Sequence, residues 1–232
     1  METVKYNKYA ELDKYLVGGD TCLIYFHGGG LEAGNKGEFK RLAEYLNLEK
    51  IDCYLPEYRL YPHAKYPEFI LDAADSVAYA LKKKKYKKVI IGGTSAGSYL
   101  AMMLYFDKRY LAKHNIDSET INGYVFDAGQ PTVHFNVLRE NNLDTRRILV
   151  DERAPIYYLN KDVNSNVKFL VFYAEFDLLV RKEETELLKH LMLNYGYKKE
   201  NLDFHLIKNN KHCEYTNTDF FNKTVLDFIK KL

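Results

Sequence analysis

Four short stretches of this chain carry residue types that can do chemistry together. Residues 93–97 read GTSAG, with Ser95 flanked at two-residue spacing by Gly93 and Gly97. Residues 27–30 read HGGG, Asp177 lies in FYAEFDLLV just past the end of an apolar strand-like run, and His212 lies in NNKHCEY. A serine hydroxyl is a weak nucleophile by itself. It attacks a carbonyl when an imidazole takes its proton and an acid fixes the imidazole's tautomer. With five serines and 13 glycines in 232 residues, composition alone would yield about 0.02 Gly-x-Ser-x-Gly patterns. The stretch KVIIGGTSAGSYLAMMLYF reads as strand, tight turn and helix, with Ser95 at the turn. So sharp a turn strains the central residue and leaves no room for side chains beside it. A phosphate-binding loop is the competing use of glycines here, but the lysine of a P-loop and the spacing of a dinucleotide fingerprint are both missing.

The same chemistry needs donors for the charge that develops on the attacked oxygen. Preorganised backbone N–H groups typically contribute a few kcal/mol each, on the order of 3 kcal/mol. Gly29 and Gly30, free of side chains after a strand, and Ala96, directly after the serine, are the candidate donors. His27 reads as a brace for that loop at the edge of a substrate pocket. Ser95, Asp177 and His212 each follow a strand, so all three are expected at one sheet edge. Glu175 competes with Asp177 for the role of acid, but it sits closer to the strand end. The remaining histidines, at positions 63, 114, 134, 190 and 205, fall in loops, helices or a strand and read as structural or solvated. No histidine or cysteine pair has metal-ligand spacing, so no metal or cofactor is expected.

Elements able to position these residues are visible as short apolar runs alternating with helical patterns. Strands are predicted at Thr21 to Phe26, Asp52 to Leu55, Lys88 to Gly92, Ile121 to Asp127, Val167 to Ala174 and Leu202 to Ile207. Near-continuous β-branched and aromatic residues mark strands covered on both faces. Helices are predicted at about Gly37 to Asn47, from Pro67 through Leu81, at Ala96 to Phe106, Lys182 to Tyr195 and Asp219 to Leu232. In the second of these, Ile70, Ala73, Ala74, Val77 and Leu81 share one face. Strand and helix in alternation mean an α/β fold with a mostly parallel sheet and helices on both faces. Residues 1–232 read as one domain. Gly129 to Asn160 separates two strands by far more than the usual connection of about six residues or fewer. It reads as a lid-like insertion over the C-terminal sheet edge, with Phe135, Val137 and Leu138 as candidate pocket walls.

Composition excludes several other classes. The 34 basic and 32 acidic residues leave a net charge of +2, which gives no electrostatic case for nucleic acid or an anionic membrane as partner. The run KKKKYKK at Lys82 to Lys88 reads as the solvated end of a helix, where cations oppose the dipole. Three cysteines without framework spacing fit a reduced, cytoplasmic protein. The first residues are too polar for a signal peptide, and no apolar run approaches the roughly 18 residues of a membrane span.

Taken together, FHGGG, PEYRLYPHAKYPEFILDAADSVAYAL, GTSAGS, YAEFDLLV and KHCEY resemble the α/β-hydrolase superfamily. Within it the chain is similar to the hormone-sensitive-lipase-like and compact carboxylesterases. The resemblance spans roughly Leu23 to Tyr215 and implies an α/β-hydrolase fold. It also implies a cofactor-free serine carboxylesterase working through an acyl-enzyme on small acyl esters, with Arg59 anchoring loops behind the site. Thr94 stands where this subfamily commonly has an acidic residue. Only about twenty residues precede the first clear strand, which implies shortened early strands and no helical N-terminal cap. The compact arylformamidase-like amide hydrolases and carbohydrate deacetylases share the glycine loop and triad. They remain alternatives, as does a non-catalytic receptor on the same fold.

Overall fold

Alternation along each strand decides which layer a side chain joins. In Thr21–Phe26, Cys22, Ile24 and Phe26 enter one apolar cluster while Leu23 and Tyr25 enter another on the opposite face. Every residue of that strand is buried, as its unbroken TCLIYF run requires. The computed structural model describes residues 1–160 and 166–232; residues 161–165, which the single-domain expectation also spans, lie outside the described residues.

The strands are β1 (Glu2–Lys5), β2 (Glu11–Tyr15), β3 (Thr21–Phe26), β4 (Ile51–Pro56), β5 (Lys88–Thr94), β6 (Gly123–Asp127), β7 (Lys168–Phe176) and β8 (Leu202–Lys211). They form one sheet in the order β1-β2-β4-β3-β5-β6-β7-β8. Pairing is parallel from β4 through β8, while β1 with β2 and β2 with β4 are antiparallel. The helices are α1 (Lys40–Asn47), α2 (Glu68–Lys83), α3 (Ala96–Phe106), α4 (Arg109–Ala112), α5 (Phe135–Glu140), α6 (Arg181–Asn194) and α7 (Asp219–Lys230). Apolar residues of α2, α3 and α6 build the core on one face of the sheet, and those of α1 and α7 build it on the other.

The mostly parallel α/β architecture is the one expected from the sequence, and the six predicted strands are all present. Two strands escape a reading based on apolar runs. β1 (ETVK) is largely exposed, and β2 (ELDKY) mixes charge with burial, so neither carries an apolar run. Their pairing comes instead from a turn in which Asn7 Oδ1 accepts the N–H groups of Tyr9 and Ala10. The early strands are thus present and short. β8 also runs past Ile207 to Lys211, because a register shift opposite Ala174 to Phe176 lets Lys211 pair with Phe176. That extension delivers the chain directly to His212.

The insertion packs down on the body. Asn136 Nδ2 donates to the Gly30 carbonyl at 3.0 Å, and the Tyr66 N–H donates to Glu140 at 3.0 Å. Tyr99 OH donates to the Arg153 carbonyl at 2.6 Å. Arg59 ties the segment after β4 to α2 through Asp72 at 2.8 Å and Glu68 at 2.8 Å.

Candidate active site

β5 ends at Thr94 and α3 begins at Ala96, so Ser95 is the whole connection. Its backbone adopts φ 54° and ψ −112°, a region that non-glycine residues rarely enter. Such strain stores about 1–3 kcal/mol and persists only where surrounding structure enforces it. The enforcement is close packing. A Cβ on Gly93 would lie 2.3 Å from the Gly97 carbonyl carbon, and one on Gly97 would lie 2.2 Å from the Phe26 carbonyl oxygen. The Ser95 N–H donates to the Asp127 carbonyl at 2.7 Å, which ties the turn to β6.

His212 reaches this serine from the loop after β8. Its Nε2 is 2.9 Å from Ser95 Oγ, and its Nδ1 is 2.6 Å from Asp177 Oδ1. Asp177 follows β7, and its side chain is closed to solvent. Burial pushes its carboxyl upward. The His212 ring and the N–H groups of Leu178 (2.7 Å) and Ala174 (3.3 Å) outweigh that and hold it below the usual carboxylate range. Glu175 turns elsewhere and accepts the Asn209 N–H at 2.9 Å. Three residues 117 and 35 positions apart in the chain, counted from His212, are therefore linked in one hydrogen-bonded row.

The row stands at a cavity of about 540 Å³, whose walls include Gly28, Gly29, Gly30, Ser95, Phe135, Leu178, His212 and Cys213. Gly29 and Gly30 have φ of 97° and 65°. A Cβ on Gly29 would fall 2.1 Å from the Ala33 carbonyl oxygen, so this turn accepts only glycine. The Gly29 carbonyl takes the N–H groups of Glu32 and Ala33. The Gly29 and Gly30 N–H groups donate to no other described residue. Ala96 is the first residue of α3, where a helix leaves its N–H groups without intrahelical partners.

Of the four residues assigned to the pocket from sequence, only Phe135 lines this cavity. Val137 and Leu138 are fully buried in the main core cluster, because the inward face of α5 must cover the sheet. His27 is likewise closed off behind the glycine loop. It stacks on Tyr58 at 4.4 Å, its Nδ1 lies 2.8 Å from the Gly28 carbonyl, and its Nε2 is 3.3 Å from Glu57. It braces the loop and forms no wall of the cavity.

One residue at the site went unnoticed in the sequence. Asp127 ends β6 with no exposed surface, and its carboxylate accepts three hydroxyls. These are Thr94 at 2.7 Å, Tyr215 at 2.8 Å and Thr216 at 2.9 Å. It therefore joins the residue before the serine to the loop that carries His212. Tyr25 OH lies 2.9 Å from Thr94 Oγ1 and extends the network. Burial pushes the Asp127 carboxyl up to about 6 despite its hydroxyl donors. The available signal was an acidic residue closing a buried strand at the same sheet edge as Ser95. Among the described residues, no group of three or more His, Cys, Asp or Glu side chains is placed to hold a metal ion, and no helix is long and apolar enough to cross a membrane.

Comparison with known proteins adds three findings. A family model described as alpha/beta hydrolase fold matches residues 23–216. An AB hydrolase superfamily protein of Schizosaccharomyces pombe is 31% identical over 94 residues, covering 38% of this chain and 27% of that protein. The match thus spans about a quarter of that relative's length. The chain also superposes on a thermophilic esterase of the planctomycete Thermogutta terrifontis. With propionate bound, that esterase gives a TM-score of 0.80 at 16% identity over 99% of this chain and 93% of the other. In its form phosphonylated by sarin the TM-score is 0.81 at 16% identity, over 99% and 94% of the two chains.

Proposed function

Since this chain belongs to the alpha/beta hydrolase family, we propose that it is a serine hydrolase of short-chain acyl esters, acting through an acyl-enzyme. The hydrogen-bonded row from Ser95 through His212 to Asp177, at the mouth of a cavity walled by the glycine loop, carries this reading. His212 Nε2 takes the Ser95 proton as Oγ attacks the ester carbonyl. The N–H groups of Gly29, Gly30 and Ala96 receive the negative charge on the carbonyl oxygen. His212 then returns the proton to the leaving alcohol, and in the second half it deprotonates water that attacks the acyl-enzyme. Asp177 keeps the proton on Nδ1 and steadies the imidazolium in both halves. Superposition on an esterase with propionate bound agrees with this reading at the level of the fold.

The preference for short acyl chains is part of this proposal. Each methylene buried gains about 0.8 kcal/mol, but only while the cavity has room for it. Acetate to butyrate esters should be turned over best, with a sharp fall beyond about eight carbons. Two experiments test the reading. A fluorophosphonate probe should label the wild type at Ser95 and leave a folded Ser95→Ala variant unlabelled. A series of 4-nitrophenyl esters should show its highest kcat/KM at short acyl chains. Absence of labelling would return the fold to the receptor reading. A preference for formamides or acetylated sugars over simple esters would move it to the amidase or deacetylase reading.

A further inference from the structure

A second cavity of about 210 Å³ shares the Phe135 and Leu178 side chains with the one at Ser95. Its walls are largely apolar, with Ile148, Leu179 and Val180 completing them, yet Arg181 is one of its lining residues. Arg181 is the first residue of α6 and is 5% exposed. Its guanidinium is incompletely used. Nη2 donates to Gln130 at 3.1 Å and Nε lies 3.4 Å from Glu184, but Nη1 is buried with no partner among the described residues. Glu184 is shared with the Thr132 hydroxyl, which donates to it at 2.5 Å. Burial pulls the Arg181 pKa down, the direction for a cation short of acceptors. Arg146 and Arg147 also line this cavity, Arg146 being paired with Asp144 at 2.7 Å. The cavity thus has three cationic side chains and one acidic one beside Gln130, Thr145 and a set of apolar walls.

A buried guanidinium nitrogen without an acceptor is costly. Carboxylate and phosphate both fit a guanidinium, and carboxylate, the smaller and less strongly hydrated anion, suits a small cavity with apolar walls. Position relative to the reaction then decides which part of a substrate arrives there. The leaving oxygen must sit at His212 Nε2, and the His212 loop residues Cys213, Thr216 and Asn217 line only the larger cavity. The smaller one adjoins the larger at the shared Phe135 and Leu178 side chains, away from the His212 loop, which leaves it for the acyl chain.

We infer that the smaller cavity is an acyl subsite for esters whose acyl chain ends in a carboxylate, the half-esters of short dicarboxylic acids, with Arg181 receiving that carboxylate across an apolar channel. The inference rests on the ester-hydrolase reading and names its substrate class. Phe135 and Leu178 would flank the methylenes, and Gln130 would hold the guanidinium in place.

The test compares 4-nitrophenyl hydrogen adipate with 4-nitrophenyl hexanoate, two esters of equal acyl length that differ in the terminal carboxylate. A charge-assisted hydrogen bond in a buried site implies at least about a tenfold higher kcat/KM for the adipate half-ester. Free adipate should inhibit hexanoate hydrolysis competitively, and more strongly than hexanoate anion of the same length does. Arg181→Met leaves Glu184 buried without its cationic partner, so the double variant Arg181→Met/Glu184→Met removes both charges at similar volume. In that variant, checked for folding by circular dichroism, the adipate-to-hexanoate ratio should fall to one or below. Equal turnover of the two esters by the wild type, with no selective inhibition, overturns the subsite and leaves the esterase reading standing. A ratio that survives in the double variant overturns the role of Arg181. Failure of every ester together with failure of Ser95 labelling overturns the esterase reading, and this inference with it.

Discussion

Two aspartates close neighbouring strands at the same edge of the sheet and come to opposite electrostatic ends. Asp127 ends β6 and Asp177 follows β7, and both side chains are closed to solvent. Burial pushes both carboxyls upward. Asp177 is met by an imidazole and two backbone N–H groups, and these bring it below the ordinary range. Asp127 is met by three hydroxyls and reaches about 6. Fixed N–H dipoles and a ring able to carry charge stabilise an anion more than neutral hydroxyls do. The number of partners is the same. Their chemistry differs, and with it the task each residue suits. Under the proposed mechanism Asp177 stabilises the imidazolium that forms during reaction, while Asp127 holds two loops together.

That division can be broken by substitution, and the largest effect should come first. Asp177→Asn should lower kcat about 10⁴-fold, because the amide favours the wrong imidazole tautomer. The loss should appear in steady-state ester hydrolysis by a protein with unchanged circular dichroism. A loss below tenfold would transfer the acid's role to another residue. Asp127→Ala should act mainly on stability. Leaving the Thr94, Tyr215 and Thr216 hydroxyls without their shared acceptor should cost about 3 kcal/mol in urea unfolding. Were its damage confined to kcat, Asp127 would belong to the reaction and the contrast would fail.

Opposite pKa shifts also give opposite pH signatures. Asp127 has a raised folded pKa, so the native state holds its proton more tightly than the unfolded chain does. Its penalty is absent below the unfolded value near 4, develops as pH rises, and is complete above about 6. Asp177 has a lowered folded pKa, so its contribution is present above the unfolded value and is lost as pH falls through the folded one. Between pH 4.5 and 7 the Asp127 contribution should remove roughly 2 kcal/mol of stability, since one unit is about 1.4 kcal/mol. Asp127→Asn should flatten that slope in paired urea titrations, and an unchanged slope would remove Asp127 as its source. The smallest effect should be Glu175→Gln, which leaves ester turnover within about twofold, since that carboxylate serves the Asn209 N–H. A larger loss would make Glu175 a second acid of the site.

The legible part of this protein was local. The turn at Ser95 needs glycines within two residues of it, so GTSAG marks both its backbone and its place in the fold. β3 and α3 match their predicted spans to the residue, because TCLIYF and AGSYLAMMLYF are bounded by sharp turn signals. The hairpin of β1 and β2 was not legible, since its pairing draws on backbone groups and a turn asparagine more than on apolar side chains. Pocket walls were harder still. Phe135, Val137 and Leu138 are equally apolar in sequence, yet α5 turns the first toward the cavity and buries the other two.

The sequence by itself determined the order of the six apolar strands and the five longer helices, and the identity of the serine turn and the glycine loop. Each of these depends on steric demands between residues a few positions apart. Tertiary structure brought Asp177, the acid the sequence already favoured over Glu175, to His212. It alone decided that Asp127 ties the serine turn to the histidine loop and that Arg181 comes to line a cavity beside the site. Those outcomes rest on distances between residues far apart in the chain. Strand register and loop closure set such distances, and a shift of one position in either would part the groups beyond the roughly 3 Å at which a hydrogen bond forms.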